Sequence, residues 1–190
     1  MMFILSLIGN IFYKGIKLRN KIIQVYLNRY YSKKMKHFGK GTRISGFSRI
    51  SGLENIEIDD NVMIGENAFI RGEGGLKIGA NCHFSRNVVV YTHNHNYEGI
   101  VLPYDNTFRY RKVIIEKNVW VGMNVIILPG AHIKEGAIIG AGAVVGGVVE
   151  PLAIVGAALG KPIKSRDKEH YDTLEKEKRY GGPNGVPIDN

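Results

Sequence analysis

Aliphatic side chains recur at every sixth position through most of this chain. The cleanest run is Ile115, Val121, Ile127, Ile133, Ile139 and Val145, and shorter runs join Ile44 to Ile50, Ile58 to Ile64 and Ile70, and Ile78 to Phe84 and Val90. Four residues after most of them stands a small or short apolar residue: Val62, Ala68, Cys82, Val88, Val125, Ala131, Ala137 and Ala143. Three residues after stands Asn or Gly: Asn61, Asn67, Asn81, Asn87, Asn118, Asn124, Gly130, Gly136 and Gly142. A repeat this short decides the architecture before anything else does.

Each slot answers a physical need. The aliphatic residue fills a narrow interior. The small residue fits where the chain bends and space is short. Asn and Gly tolerate a left-handed backbone at the bend. An α-helix would repeat at 3.6 residues and tolerate far fewer glycines, and a flat sheet would not bend every six. Short strands joined by tight bends give a coil, and stacked coils pair strand to strand. Three sides of six residues make a triangular prism of about eighteen residues per turn. The fold class expected is an all-β solenoid, a parallel β-helix. Cys82 falls in an inward slot and reads as a repeat residue, not a reactive thiol.

Composition sets the surroundings. At 44% hydrophobic and 23% charged, the 190 residues are globular by composition. A single cysteine cannot form an internal disulfide, which excludes a disulfide-stapled scaffold and favours a reducing compartment, the cytoplasm. The net charge of +9 is unevenly placed: residues 1–53 hold eleven Lys/Arg and no acid. The opening run Met1–Tyr13 is too short to span a bilayer, and its charges follow the apolar stretch rather than precede it, unlike a signal peptide. Ile4, Ile8, Ile11, Gly15, Leu18, Ile22 and Val25 mark one helix face. Two roles fit that face: shielding the open end of the prism, or lying on an anionic membrane surface through residues 1–36. No nucleic-acid motif accompanies the charge.

The period fails between Val90 and Ile115. The gap carries His93, Asn94 and His95, then Tyr97, Tyr104, Phe108, Arg109, Tyr110, Arg111 and Lys112. Long loops in compact domains are commonly functional. Aromatic faces beside cations suit a sugar ring next to a phosphate. Counted from Val90, His93 takes the bend slot, Asn94 the inward slot, and His95 points outward at the foot of the loop. A histidine there can take a proton from an acceptor near neutral pH. His-x-His can also place two imidazoles on one side of a strand as metal ligands. His83 and His132 fall in outward slots and read as surface residues.

The segment VIIEKNVWVGMNVIILPGAHIKEGAIIGAGAVV, residues 113–145, resembles the C-terminal coils of the hexapeptide-repeat sugar acetyltransferases, through Asn118–Val119–Trp120–Val121–Gly122, Leu128–Pro129–Gly130 and Gly140–Ala141–Gly142. The resemblance covers residues 58–165. His95-Asn96-Tyr97-Glu98 is similar to the catalytic histidine segment of the O-antigen and capsule branch. The resemblance implies a left-handed coil and an acetyl-CoA-dependent O-acetyltransferase acting on a sugar hydroxyl of a bacterial surface polysaccharide or its precursor. His95, with His93 beside it, would be catalytic. Asn94, Tyr97, Arg109 and Arg111 would meet the acceptor. Trp120, Met123, Ala141, Gly142 and Lys161 would meet acetyl-CoA. It also implies a homotrimer with sites at subunit interfaces; outward apolar residues such as Val119 and Ile126 would be covered by it. No metal is expected, and the inner face of the cytoplasmic membrane is the expected location if the first helix binds lipid.

Two stretches depart from the family pattern. Gly146-Gly147-Val148 stands where many relatives have threonine-lysine-aspartate, and Gly156-Ala157-Ala158-Leu159-Gly160 where many have alanine-glycine-asparagine-proline. Gly65 replaces the acceptor-binding asparagine of the galactoside and maltose branch. The organisation expected is a basic helical segment over 1–38, a β-helix over 39–160 with an inserted loop over 96–112, and a C-terminal helix and tail over 161–190. N-acetylation of a nucleotide-linked amino sugar, a carbonic-anhydrase-like metal site and a non-catalytic scaffold are the alternative readings.

Overall fold

The computed structural model describes residues 2–157 and 165–180. The bends come first, because they set the rest. Asn61, Asn67, Asn81, Asn87, Asn118 and Asn124 have φ between 56° and 61°, and Gly130, Gly136 and Gly142 between 71° and 84°. Every Asn or Gly assigned to a bend slot therefore adopts the left-handed conformation that these residues tolerate at least cost. Strands of two or three residues run between the bends and stack in parallel on the coils above and below, giving two six-stranded sheets and one five-stranded sheet. The result is a left-handed parallel β-helix, the fold class expected.

The three sheets are the faces of the prism. The first includes Ile56–Ile58, Leu76–Ile78, Val113–Ile115 and His132–Ile133; the second Met63–Ile64, His83–Phe84, Trp120–Val121 and Ile138–Ile139; the third Phe69–Arg71, Val89–Tyr91, Ile126–Ile127 and Val144–Val145. Inward side chains close a single core, in which Ile58, Ile78, Val121, Ile127, Ile133 and Ile139 are fully buried. Cys82 is buried among them and donates to the carbonyl of Glu116 at 3.0 Å. Val119 is also buried, which corrects its assignment to the outer surface. It stands four residues after Ile115, in the small inward slot.

Outside the bends the asparagines form ladders. Asn61 donates to Asn81 at 2.9 Å and Asn81 to Asn118 at 3.1 Å; Asn67 donates to Asn87 and Asn87 to Asn124, both at 2.9 Å. The rungs also measure the coils. Asn61 and Asn81 are 20 residues apart and Asn81 and Asn118 are 37 apart, whereas Trp120 pairs with Ile138, the regular spacing of the last coils. The additional residues gather at one corner, between the third and first faces. They form a 3-10 turn at Leu53–Asn55, a glycine-rich turn at 72–75, and an antiparallel hairpin of His93–His95 with Phe108–Tyr110.

The helix α1, Met2–Lys34, meets the body at its C-terminal end. Leu27 packs on the core, and Tyr31 and Met35 are buried. The amide of Asn28 takes the place of a further strand: it donates to the Ile44 carbonyl at 3.0 Å and accepts from the Ile44 N–H at 2.8 Å. This satisfies backbone groups that the end of a solenoid leaves open. The apolar stripe of Ile11, Leu18, Ile22 and Val25 stays 61% to 64% exposed. Shielding of the prism end therefore falls to Leu27, Asn28 and Tyr31, on another side of the helix, with Met35 just after its end, and not to that stripe. A second unit, residues 158–190, contains the helix α2, Lys168–Lys176, capped by Asp167, whose side chain accepts from the His170 N–H at 2.7 Å.

Candidate active site

The hairpin is built on Thr92. Its hydroxyl donates to the Arg71 carbonyl and accepts from the Gly74 N–H, both at 2.7 Å, and its carbonyl accepts from the Arg111 N–H at 2.8 Å. Thr92 is fully buried. Gly74 lies so close to it that a Cβ would collide with the Thr92 carbonyl. Beyond Thr92 the chain leaves the prism. His93 pairs with Tyr110, Asn94 with Arg109, and His95 with Phe108. The inward slot assigned to Asn94 therefore does not exist: Asn94 is exposed, because strand pairing in the hairpin replaces the six-residue count.

The two histidines part company here. His93 is buried behind the hairpin. Its Nε2 lies 3.4 Å from Arg71 Nη2, and its Nδ1 3.5 Å from a Glu73 carboxylate oxygen. A guanidinium has only protons to offer, so Nε2 is the accepting nitrogen and the proton sits on Nδ1, facing Glu73. Burial holds the imidazole below its ordinary value; Glu73 works against that shift and Arg71 with it. Phe108 and Tyr110 pack on the ring at 5.2 and 5.5 Å between centroids.

His95 is exposed. Its ring stacks on Tyr104, with centroids 4.0 Å apart and planes 21° from parallel, and meets Phe108 at 4.6 Å. It opens on a cleft of about 570 Å³ lined by Asn94, His95, Tyr97, Arg109, Arg111, Leu128 and Pro129. The four residues expected to meet an acceptor and the expected base thus share one cleft, and His93 is not among its lining residues. Arg109 lies over the Tyr97 ring at 5.1 Å, donates to Asn96 at 2.9 Å and pairs with Glu98. Hydrogen bonding to Glu98 holds its guanidinium protonated to a still higher pH than usual. Arg111 has no carboxylate partner among the described residues, so its charge is available in the cleft.

The residues expected to meet acetyl-CoA lie elsewhere. Trp120 and Met123 are 56% and 44% exposed. Met123, Ala141 and Gly142 occupy stacked bends at the corner between the second and third faces, where the Gly142 N–H donates to the Met123 carbonyl at 2.9 Å. No neighbouring atom would meet a Cβ at Gly142, so the backbone there faces open space. Lys161 lies outside the described residues. His83 is exposed as expected, but His132 is not solitary. Its Nε2 is 2.7 Å from a Glu116 carboxylate oxygen, and that contact helps hold the Glu116 carboxyl below its usual range. Among the described residues no three His, Cys, Asp or Glu side chains gather as a metal-ligand group.

Sequence reading missed the Arg71–Glu73 pair, joined at 3.2 Å, that backs His93. The available signal was a salt-bridging pair inside the glycine-rich run Arg71–Gly75, one coil before the histidines.

Comparison with known proteins fits this geometry. Residues 112–147 match the model of the bacterial transferase hexapeptide (six repeats), and residues 55–92 that of the hexapeptide repeat of succinyl-transferase. A chloramphenicol acetyltransferase of Agrobacterium fabrum is 41% identical over 71 residues, 37% of this chain and 34% of that protein. A protein of Escherichia coli K12 named for lipopolysaccharide biosynthesis O-acetyl transfer, WbbJ, is 30% identical over 100 residues, 48% of this chain and 51% of that one. The crystal structure of a hexapeptide-repeat acetyltransferase of Vibrio cholerae, complexed with acetyl-coenzyme A, superposes with a TM-score of 0.63 at 22% identity, covering 75% of this chain and 79% of that one. The aligned stretches span between 27% and 51% of the length of the curated relatives. The two matched blocks lie on the coils before and after the hairpin, and in both the chain is similar to hexapeptide-repeat transferases.

Proposed function

We propose that this protein is an acetyl-CoA-dependent O-acetyltransferase that modifies a sugar hydroxyl of a bacterial surface polysaccharide or its precursor, with His95 as general base. The observation that carries the proposal is the cleft in which His95 shares a wall with Asn94, Tyr97, Arg109 and Arg111. Tyr97 offers a flat face for a sugar ring, and the two arginines offer planar donors for an anionic group on the acceptor. The acetyltransferase names of the aligned relatives supply the reaction class.

In the proposed reaction the acceptor hydroxyl gives its proton to an imidazole nitrogen of His95. The oxygen attacks the thioester carbonyl and forms the new C–O bond. The tetrahedral oxyanion collapses, the C–S bond breaks, and the coenzyme A thiolate recovers the proton from the imidazolium. Backbone N–H groups would stabilise the oxyanion. No covalent enzyme intermediate is needed. Acetyl-CoA is a co-substrate here, and Trp120, Met123, Ala141 and Gly142 would lie along it. His93, held by Arg71 and Glu73, would fix the hairpin instead of exchanging protons with the acceptor.

The cleft and the Met123–Gly142 bends stand at different corners of the prism, with the third face between them. The outward residues of that face, Phe69, Val89, Ile126 and Val144, stand in register on successive coils. A homotrimer would cover this apolar column and bring the cleft of one protomer to the cofactor corner of the next. A second reading keeps the same base: Arg111, lacking a carboxylate partner among the described residues, suits a nucleotide-linked amino sugar and hence N-acetylation.

Calorimetry with acetyl-CoA on wild type and His95→Ala, together with thiol release over a panel of sugars and nucleotide-sugars, tests the proposal. Both proteins are expected to bind, with thiol release falling about 10²- to 10⁴-fold in the variant. Thiol release that survives His95→Ala removes His95 as the base. Failure of wild type to bind acetyl-CoA removes the acetyltransferase.

A further inference from the structure

α1 is far longer than its contact with the prism. Leu27, Asn28 and Tyr31 dock, yet Ile11, Phe12, Leu18, Ile22, Val25 and Tyr26 are 61% to 69% exposed. At 3.6 residues per turn the stripe of Ile11, Leu18, Ile22 and Val25 lies about 140° around the helix from the docking residues. The body therefore cannot cover the stripe while the helix end stays where Asn28 and Tyr31 fix it. A continuous apolar face of this kind on a soluble surface marks an interaction site.

The charge identifies the occupant. Helix α1 contains seven Lys/Arg and no acid. Lys14, Lys17 and Lys21 lie along one flank of the stripe, and the Lys17 amino group sits over the Tyr13 ring at 4.7 Å. Packing the stripe against the same helix of a second copy would bring these cations together with no acid to offset them. A surface of anionic phospholipid satisfies both features at once: acyl chains for the apolar face and headgroups for the lysines. Among the described residues no helix is long and apolar enough to cross a membrane, so the helix would lie in the interface.

We propose that α1 binds anionic phospholipid membranes in the interfacial plane, inserting Ile11, Leu18, Ile22 and Val25 and placing Lys14, Lys17 and Lys21 at the headgroups. The prism is then held at the membrane by the Asn28–Ile44 and Tyr31–Ser48 hydrogen bonds. This inference does not depend on the acetyl-transfer reading, because no residue it uses lines the cleft.

The test is co-sedimentation of the full chain with vesicles of phosphatidylcholine alone and of phosphatidylcholine mixed with phosphatidylglycerol. Wild type is compared with Ile11→Ser/Leu18→Ser/Ile22→Ser and with Lys14→Gln/Lys17→Gln/Lys21→Gln. All six side chains are remote from the core, and thermal melting of each variant checks that the prism is intact. Wild type is expected to sediment with the mixed vesicles, less so at high salt. The lysine variant is expected to bind about 100-fold more weakly, and the serine variant to stay in the supernatant. Equal sedimentation of wild type and the serine variant overturns the proposal, as does wild type that never sediments. A serine variant that binds vesicles normally but forms a smaller oligomer by analytical ultracentrifugation without lipid assigns the stripe to a second copy instead.

Discussion

The rings of His95 and Tyr104 stack with centroids 4.0 Å apart and planes 21° from parallel, although Tyr104 arrives from the far side of the hairpin loop. Phe108 closes on the same imidazole at 4.6 Å. The exposed histidine is thus oriented by two aromatic rings. Ring pairs of this kind contribute about 0.5–1.5 kcal/mol beyond area burial. Tyr104→Ala is expected to lower kcat roughly 2- to 10-fold on that scale, with KM for acetyl-CoA unchanged. Tyr104→Phe keeps the stacked face and should behave as wild type. Steady-state kinetics on the three proteins decides it. An unaltered kcat in Tyr104→Ala would mean that the stack does not orient the proposed base.

His93 leads to a pH prediction. Burial, the largest influence, keeps its imidazole from taking up a proton in the folded chain; Glu73 opposes this and Arg71 reinforces it. Above the ordinary histidine value, about 6.5, the ring is neutral whether the chain is folded or not, and it contributes no pH dependence. As pH falls through that value, the unfolded chain gains a proton that the folded chain refuses. Stability is therefore lost with falling pH, until the depressed folded value is reached and the loss levels off. His93→Gln should remove this component. Between pH 7.5 and 5 the urea midpoint of wild type should fall relative to that of the variant as pH is lowered. A constant gap would assign the acid sensitivity to other groups.

The prism was readable because each slot solves a local problem. Asn118 must tolerate a left-handed bend, Val121 must fill the interior, and neither requirement depends on distant residues. Where counting failed, distant residues had taken control. Asn94 was counted inward from Val90, but Thr92 ends the coil through its bonds to Arg71 and Gly74, and hairpin pairing then sets the side chains. The cleft residues were legible by type, as aromatics and cations in one break of the period. Their division of roles was not. Whether His93 or His95 faces the cleft depends on Arg71 and Glu73, which stacking brings up from the preceding coil. The apolar stripe of α1 was equally visible, but its direction was fixed by Asn28 and Tyr31, whose partners Ile44 and Ser48 lie at the start of the prism.

Cys82 should behave as an inert thiol. Burial raises it to about 11, with Asp59 adding to the shift and a backbone hydrogen bond from Val119 opposing it. The thiolate is the reactive species. At pH 8 the folded protein should react with a disulfide reagent at a rate at least roughly 100-fold below that of the urea-unfolded chain. Comparable rates would mean that the coil around Cys82 opens readily. Full protection would place this coil among the last parts of the prism to open.

The asparagine ladders make the last prediction, because they separate two contributions at one site. Asn81 has φ of 60° and exchanges side-chain hydrogen bonds with both Asn61 and Asn118. Asn81→Gly keeps a backbone that accepts this conformation but loses both rungs. Asn81→Ala loses the rungs and also carries the left-handed penalty of about 1–2 kcal/mol. The rungs are solvent-exposed, so each is expected to contribute near the low end of about 0.5–1.5 kcal/mol. Glycine adds a chain-entropy cost of its own, up to about 1 kcal/mol, by loosening the unfolded state. Alanine should therefore be the less stable variant, by up to about 1.6 kcal/mol, once a glycine cost of about 0.4–1 kcal/mol is subtracted from the left-handed penalty. Urea denaturation at one fixed protein concentration, with unchanged m-values, would read the difference. If alanine matches or exceeds glycine, the bend at Asn81 relaxes out of its left-handed conformation when the ladder is cut, and the ladder rather than the slot residue is what holds the corner.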